Sequence, residues 1–401
     1  MTHDDLRCLA CGSGACEVFL ELDAVPVFCN VLHETAASAR EAARGGMVLA
    51  ICRDCGHVFN ATFDPEKVVY GGEYENSLHF SPRFQEYADG LADELAADYA
   101  LQGEHVVEIA SGQGDFLRMV CERAGARGTG FDPSYDAASD PHAGENGAIR
   151  VVAEPFDETR LAQLHAEGVE PALILCRQAL EHFERPAAFL EQLGSVLPDD
   201  RRQPVFFEVP NSLYSLQQGG IWDFIYEHVS YFCAPSLAAC FRRAGFDVGE
   251  TRPRFGDQFL SVAATWPGDG DESSAPDRDA VAEIVASARA LGDEVRERTH
   301  TWRERLDQLR ASGRTAVVWG AGSKGVTFLN LIGAESDLVR VVDINPRKRG
   351  MHVAGVGTTI EHPDALRGSD PAMVVIMNPL YTEEIGGQLR ELGVDCEVVG
   401  V

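Results

Sequence analysis

The spacing of apolar residues changes several times along the chain, and the changes divide it. From Ser81 the pattern is helical. Ser81 is placed to cap a helix and Pro82 to open it, and Phe84, Tyr87, Leu91 and Leu95 recur on one face to about Tyr99. Residues 104–266 then alternate short apolar runs with helical stretches. The runs Val106–Ile109, Gly128–Phe131, Ala148–Val152, Leu173–Cys176, Val205–Val209 and Gln258–Thr265 predict strands. Runs this continuously apolar suit strands buried on both faces, so the expected class is α/β with a doubly wound sheet. Pro267–Asp277 is a Gly/Pro/acid stretch without periodicity and reads as a linker. Residues 278–311 read as one long helix with Val281, Ile284, Val285, Ala288, Leu291, Val295, Trp302, Leu306 and Leu309 on a shared face. Strands at 315–319, 341–343, 373–377 and 396–401 complete a second, smaller α/β domain. The division expected is 1–80, an N-terminal module and loop; 81–266, the main domain; 267–312, linker and long helix; and 313–401, a C-terminal Rossmann-like domain.

Composition adds limits. The 401 residues are 45% apolar, enough for two or three ordinary cores. A formal charge of −29 argues against nucleic acid or an anionic membrane as partner, because either would be repelled by the whole molecule. Met1-Thr-His-Asp-Asp5 has neither a basic nor an apolar leader segment, and no apolar run nears the roughly 18 residues of a membrane span, so a cytoplasmic protein is expected. Lys67, Lys324 and Lys348 are the only lysines.

Four of the eleven cysteines form two knuckles, Cys8-Leu-Ala-Cys11-Gly12 and Cys52-Arg-Asp-Cys55-Gly56. Each tight turn presents two thiolates, and two such turns close a tetrahedral Zn²⁺ site. A redox pair is the competing reading, but no βαβ pattern accompanies the knuckles. A closed set of Cys8, Cys11, Cys52 and Cys55 makes the zinc structural. Residues 17–47 are expected to loop out between the knuckles, and His57 to lie behind the ligands or in solvent. The other seven cysteines show no framework spacing, as in a reducing compartment. Tyr70–Pro82, aromatic and polar, reads as a loop able to cover a ligand.

Between the first strand of the main domain and its helix lies Glu108-Ile-Ala-Ser-Gly112-Gln-Gly114, and the next strand ends at Asp132. Glycines let backbone N–H groups approach a ligand, and an acid at the second strand's end is placed to accept from a ribose diol. A dinucleotide turn wants a third glycine where this chain has Leu117, and the flanking Glu108 and Asp115 repel a pyrophosphate but suit an ammonium and a sulfonium. Glu108, Gly112, Gly114 and Asp132 resemble the E-x-x-x-G-x-G and acidic motifs of class I S-adenosylmethionine (SAM) methyltransferases. The segment from Leu173 through Leu180-Glu-His182 to Pro186 looks like their fourth-strand region. Ala110, Phe131 and Gln178 complete the residues expected to line the cofactor.

A second aromatic stretch, Trp222 to Phe232, carries Glu227-His228 beyond the carboxyl end of a strand, where acceptor residues belong in this fold. In the C-terminal domain Gly320-x-Gly-x-x-Gly325 with Asp343 makes a fair NAD fingerprint, although Lys324 projects from the turn and the domain is about half a dinucleotide fold. In order, these parts resemble the C-methyltransferases that act on nucleotide-linked ketosugars in deoxysugar biosynthesis. The resemblance implies that the C-terminal domain helps hold the sugar nucleotide, that the zinc module and its Tyr-rich loop close the site, and that His228 is the base with Glu227, His182 and Tyr74 around it. Tyr226 joins the candidates as the aromatic preceding the pair. The chain departs from the family where Tyr-x-Tyr is replaced by Tyr74-Glu-Asn76 and Tyr-His by Ile225-Tyr226, which points to a neighbouring acceptor. Histidine suits removal of a proton from carbon, since it is mostly neutral at pH 7 and an adjacent carboxylate such as Glu227 can orient it. A Tyr hydroxyl or His182 would then serve the developing enolate oxygen. O- or N-methylation of another small metabolite, and a non-catalytic SAM-binding protein, are the alternatives.

Overall fold

A computed structural model of the chain describes residues 6–68, 74–75, 77–138, 140, 147–198, 200–268, 276–334 and 338–401. Tyr70 and Asn76 of the aromatic loop, and most of the linker, lie outside the described residues.

The N-terminal module is built from β1 (Cys16–Pro26), α1 (Ala36–Arg40), β2 (Arg44–Cys52) and β3 (Val58–Asn60). The segment expected to loop out is therefore a pair of long antiparallel strands with a short helical insert. Leu20 and Leu22 point inward while Glu21 and Asp23 point out, but bulges at Val18/Leu20 and Leu22/Val25 break the alternation and hide it from the sequence.

The main domain follows, with α2 (Pro82–Asp98), β4 (His105–Ile109), α3 (Asp115–Ala124), β5 (Arg127–Phe131), β6 (Ile149–Val152), α4 (Glu158–Ala166), β7 (Leu173–Arg177), α5 (Pro186–Val196) and β8 (Gln203–Pro210). It continues through α6 (Ser212–Gln218), β9 (Ser230–Tyr231), α7 (Ala234–Arg243), β10 (Asp247–Arg254) and β11 (Phe259–Trp266). Ser81 caps α2, its hydroxyl accepting from the Phe84 N–H, and Phe84, Leu91 and Leu95 are buried. Seven strands form one sheet in the order β6-β5-β4-β7-β8-β11-β10, parallel through β8 and antiparallel at the last two pairings. Strand β10 carries no apolar stripe because it lies at the sheet edge, mostly exposed, which is why periodicity does not reveal it.

The short strand β9 pairs with β3, so the order in the N-terminal sheet is β1-β2-β3-β9. The segment that carries Glu227-His228 is thus stitched to the N-terminal sheet on one side and to the Leu180–His182 turn after β7 on the other. Asn60 N–H donates to the Val229 carbonyl (2.9 Å), and Val229 N–H donates to the Glu181 carbonyl (2.8 Å).

After the linker, α8 (Arg278–Ser312) spans the length expected of it. It is more than a connector. Its buried face, Val281 to Leu309, belongs to one core shared with β1, β2 and the C-terminal domain. At Gly292 the helix backbone meets β1, and a Cβ there would overlap the Phe19 carbonyl oxygen. The C-terminal domain contains β12 (Ala316–Trp319), α9 (Ser323–Ile332), β13 (Val339–Val342), β14 (Ile360–Glu361), β15 (Met373–Ile376), α10 (Thr382–Leu392) and β16 (Glu397–Gly400). Its sheet is wholly parallel, in the order β14-β13-β12-β15-β16. Among the described residues no helix is long and apolar enough to cross a membrane.

Candidate active site

The chain leaves β4 through a turn whose alternate residues are left-handed: Ala110 (φ 55°), Gly112 (φ 56°) and Gly114 (φ 80°). A Cβ on Gly114 would press on Val151, whereas the space above Gly112 is open. Strand β4 lies between β5 and β7, where the strand order reverses, so a crevice opens at the carboxyl ends of these strands. Gln178, at the end of β7, is also left-handed (φ 52°), and its amide donates to Glu208 Oε1 (3.1 Å). Phe131 ends β5 and meets Phe156 edge-on. Glu108 is buried beneath the turn, with Oε2 unpartnered, and burial pushes its carboxyl up to about 8. A cation brought into the crevice would draw that value down again.

Asp132 does more than await a ribose. Its Oδ2 accepts from Gly112 N–H (2.8 Å), and its Oδ1 from Ser134 N–H (2.8 Å) and the Ser134 hydroxyl (2.5 Å). The acid fastens the glycine turn to the next strand. The C-terminal domain repeats the device: Asp343 accepts from Ala321 N–H and Asn345 N–H, each at 2.8 Å. There Gly325 lets α9 approach the Gly320 carbonyl closely, Lys348 is buried beside Asp343, and Lys324 pairs with Asp223 of the main domain (2.8 Å).

A cavity of about 320 Å³ lies between the two domains. His228 and Tyr214 line its main-domain wall, Gly320, Lys324 and Asn345 the opposite wall, and Phe80 its rim. Gln258 and Asn378 cross it with a reciprocal amide pair at 2.7 Å. Of the five catalytic candidates only His228 lines this cavity. His182 stands edge-on to it, ring centroids 4.6 Å apart, with Nδ1 against the Glu227 carbonyl (3.0 Å). Burial holds both rings neutral, with His182 pushed down to about 4 and His228 well below its ordinary value.

Two expectations fail here. Glu227 does not orient His228, because its Oε1 accepts from Cys29 N–H (3.0 Å) and its Oε2 from the Tyr74 hydroxyl (2.6 Å), and it is turned toward the N-terminal module. Tyr226 does not reach the cavity. Its ring is buried against Phe63 over Gly45, and its hydroxyl accepts from Asp64 N–H (3.1 Å). Tyr74, expected around His228, and His182, expected to serve an enolate oxygen, are likewise not among the residues that line the cavity. Glu181, which the sequence reading passed over inside the Leu-Glu-His segment, is buried beside both histidines: ligand atoms of Glu181, His182 and His228 lie within 4.8 Å of one another.

The four knuckle sulfurs also lie within 4.8 Å of one another, with Cys8 to Cys55 and Cys11 to Cys52 each 3.6 Å. That is too far for disulfides, which need about 2.05 Å. It fits a tetrahedron around Zn²⁺, since a Zn–S length of about 2.3 Å sets sulfurs about 3.8 Å apart. Gly12 (φ 78°) and Gly56 (φ 74°) close the knuckles, their N–H groups donating to the Cys8 and Cys52 carbonyls (2.9 Å each). His57 is neither a ligand nor exposed. It is buried between Phe59 and Phe232, and burial pushes it down to about 3.

Residues 79–251 match the family described as methyltransferase domain, and residues 275–395 the family described as C-methyltransferase C-terminal domain. The chain is a SAM-dependent methyltransferase. No curated protein matches it. Among solved structures, this methyltransferase is similar to magnesium protoporphyrin IX methyltransferase of Synechocystis PCC 6803 with bound SAH (20% identity, 46% of this chain, 83% of that chain, TM-score 0.34). It is also similar to 1,6-didemethyltoxoflavin-N1-methyltransferase of Burkholderia thailandensis, with bound 1,6-didemethyltoxoflavin and SAH (16% identity, 53% of this chain, 96% of that chain, TM-score 0.35).

For the methyltransferase, the tie between Asp132 and the turn sharpens one expectation. Asp132→Ala removes the anchor of Gly112 together with the acid expected to hold the ribose, and SAM binding measured by calorimetry should weaken by about 1–3 kcal/mol. Unchanged affinity would mean that the ribose is held elsewhere.

Proposed function

We propose that the enzyme transfers the SAM methyl group to a carbon next to the carbonyl of a nucleotide-activated ketosugar. The observation that carries this reading is the placement of His228 on the wall of a cavity whose other wall is the second glycine turn. A sugar nucleotide has two unlike ends. Phosphates suit the N–H groups of a helix N-terminus such as that of α9, and the sugar would then lie beside His228. Carbon methylation needs a base on the C–H and a donor at the carbonyl oxygen. With Nδ1 buried, Nε2 is the cavity-facing nitrogen of His228 and the atom that takes the proton. The match of residues 275–395 to a C-methyltransferase domain favours carbon over oxygen or nitrogen. SAM would lie along Glu108, Ala110, Gly112, Gly114, Phe131, Asp132 and Gln178. Zn²⁺ held by Cys8, Cys11, Cys52 and Cys55 would be structural, since four thiolates leave it no open position.

The test is a panel of nucleotide ketosugars incubated with the enzyme in D₂O. The true acceptor should exchange the hydrogen next to its carbonyl when SAM is withheld, and should gain a carbon-bound methyl when SAM is supplied. Methylation on oxygen or nitrogen without exchange would overturn the carbon reading and leave a methyltransferase of another acceptor.

A further inference from the structure

Among the described residues, His228 Nδ1 and Glu181 Oε2 are buried with no hydrogen-bond partner. Each is destabilising if left so, and they belong to residues whose ligand atoms lie within 4.8 Å. The other nearby groups are committed. Glu227 is held by Cys29 N–H and the Tyr74 hydroxyl, and His182 Nδ1 by the Glu227 carbonyl. Glu208, the next carboxylate, is bound to Arg177 (2.8 Å).

We infer that Glu181 is the positioning residue of His228: a small rotation brings its carboxylate to Nδ1–H and fixes the tautomer whose Nε2 lone pair faces the cavity. This rests on the reading of His228 as base. A carboxylate behind an imidazole sets which nitrogen carries the proton and stabilises the imidazolium that forms. The backbone holds the two residues in register, since Val229 N–H donates to the Glu181 carbonyl. The proton balance is closed. The substrate C–H proton passes to Nε2, its electron pair stays on the enolate, and the enolate carbon takes the methyl from the SAM sulfonium.

The pair also has a pH signature. Burial, with Glu208 and Glu227 adding to it, pushes the Glu181 carboxyl up to about 8, while burial and the neighbouring His182 depress His228. Tyr231 is the remaining titratable ring against His228, and Cys176 against Glu181. Below about pH 8 the pair retains a proton and Nε2 cannot accept another. Above it, the carboxylate holds Nδ1–H and Nε2 is bare.

The experiment is the deuterium exchange of the ketosugar panel without SAM, followed from pH 6 to 10, together with ¹⁵N spectra of His228 in the unmutated enzyme. Exchange should rise through about pH 8, and Nε2 should be bare above it. Glu181→Gln should lower exchange and kcat by about 10²- to 10³-fold at pH 9, abolish the limb near 8 and leave SAM affinity and KM unchanged; Glu181→Asp should restore the limb. A protonated Nε2 at pH 9 would overturn the inference even where the variants fail to fold. So would Glu181→Gln with full exchange while His228→Ala has none, an outcome that leaves His228 as base. A second metal per chain, lost with Glu181→Gln, would overturn it in favour of a cation at this cluster. Full exchange in His228→Ala would instead end the reading of His228 as base.

Discussion

Replacing His228 with alanine should lower kcat by about 10² to 10⁴, the usual worth of a positioned general base, and leave SAM affinity intact. The separation follows from the geometry. His228 lines the cavity between the domains, whereas the glycine turn expected to hold SAM lies at the ends of β4 and β5 and is fastened by Asp132. Steady-state kinetics with calorimetry checks it. The loss belongs to the chemical step, so KM should move little. Full turnover by the variant would transfer the base role to His182, the neighbouring ring.

Removing the metal ligands should have the larger structural effect. Cys52→Ser combined with Cys55→Ser should take the zinc content from one per chain to none and abolish the cooperative thermal unfolding of the N-terminal module. Structural zinc contributes about 10–16 kcal/mol, as much as the whole stability of an ordinary domain at about 5–15 kcal/mol. The second knuckle joins β2 to β3, and β3 pairs with β9. Loss of the knuckle therefore frees the strand that directly follows His228, and activity should fall with the metal although no cysteine touches the cavity. Elemental analysis and a melting curve check the prediction. An unchanged metal content in the double variant would refute the site.

What could be read in advance was local. The glycine turns, both knuckles, the long helix and most strands announce themselves through spacing alone, because each is fixed by residues close in sequence. The N-terminal hairpin did not, because bulges interrupt its alternation, and β10 did not, because an edge strand buries no stripe. The site was half legible. His228, a candidate by resemblance, lines the cavity, but its neighbours depend on how distant segments meet. Glu227 is taken by Cys29 and Tyr74, far from it in sequence, and Tyr226 by Asp64. Glu181 lies inside a segment read as a family signature, and only the fold shows that its carboxyl lies close to both histidines.

The shared core along α8 bears on how this kind of enzyme can be recombined. A chimera made by grafting residues 313–401 would set Val281, Ile284, Leu291 and their neighbours against a foreign surface on one side while they stay fitted to β1 on the other. The transferable unit is larger than the cavity wall it supplies. It includes α8, and through the close approach at Gly292 it includes the N-terminal hairpin, so the two ends of the sequence travel together and the main domain is the insert between them.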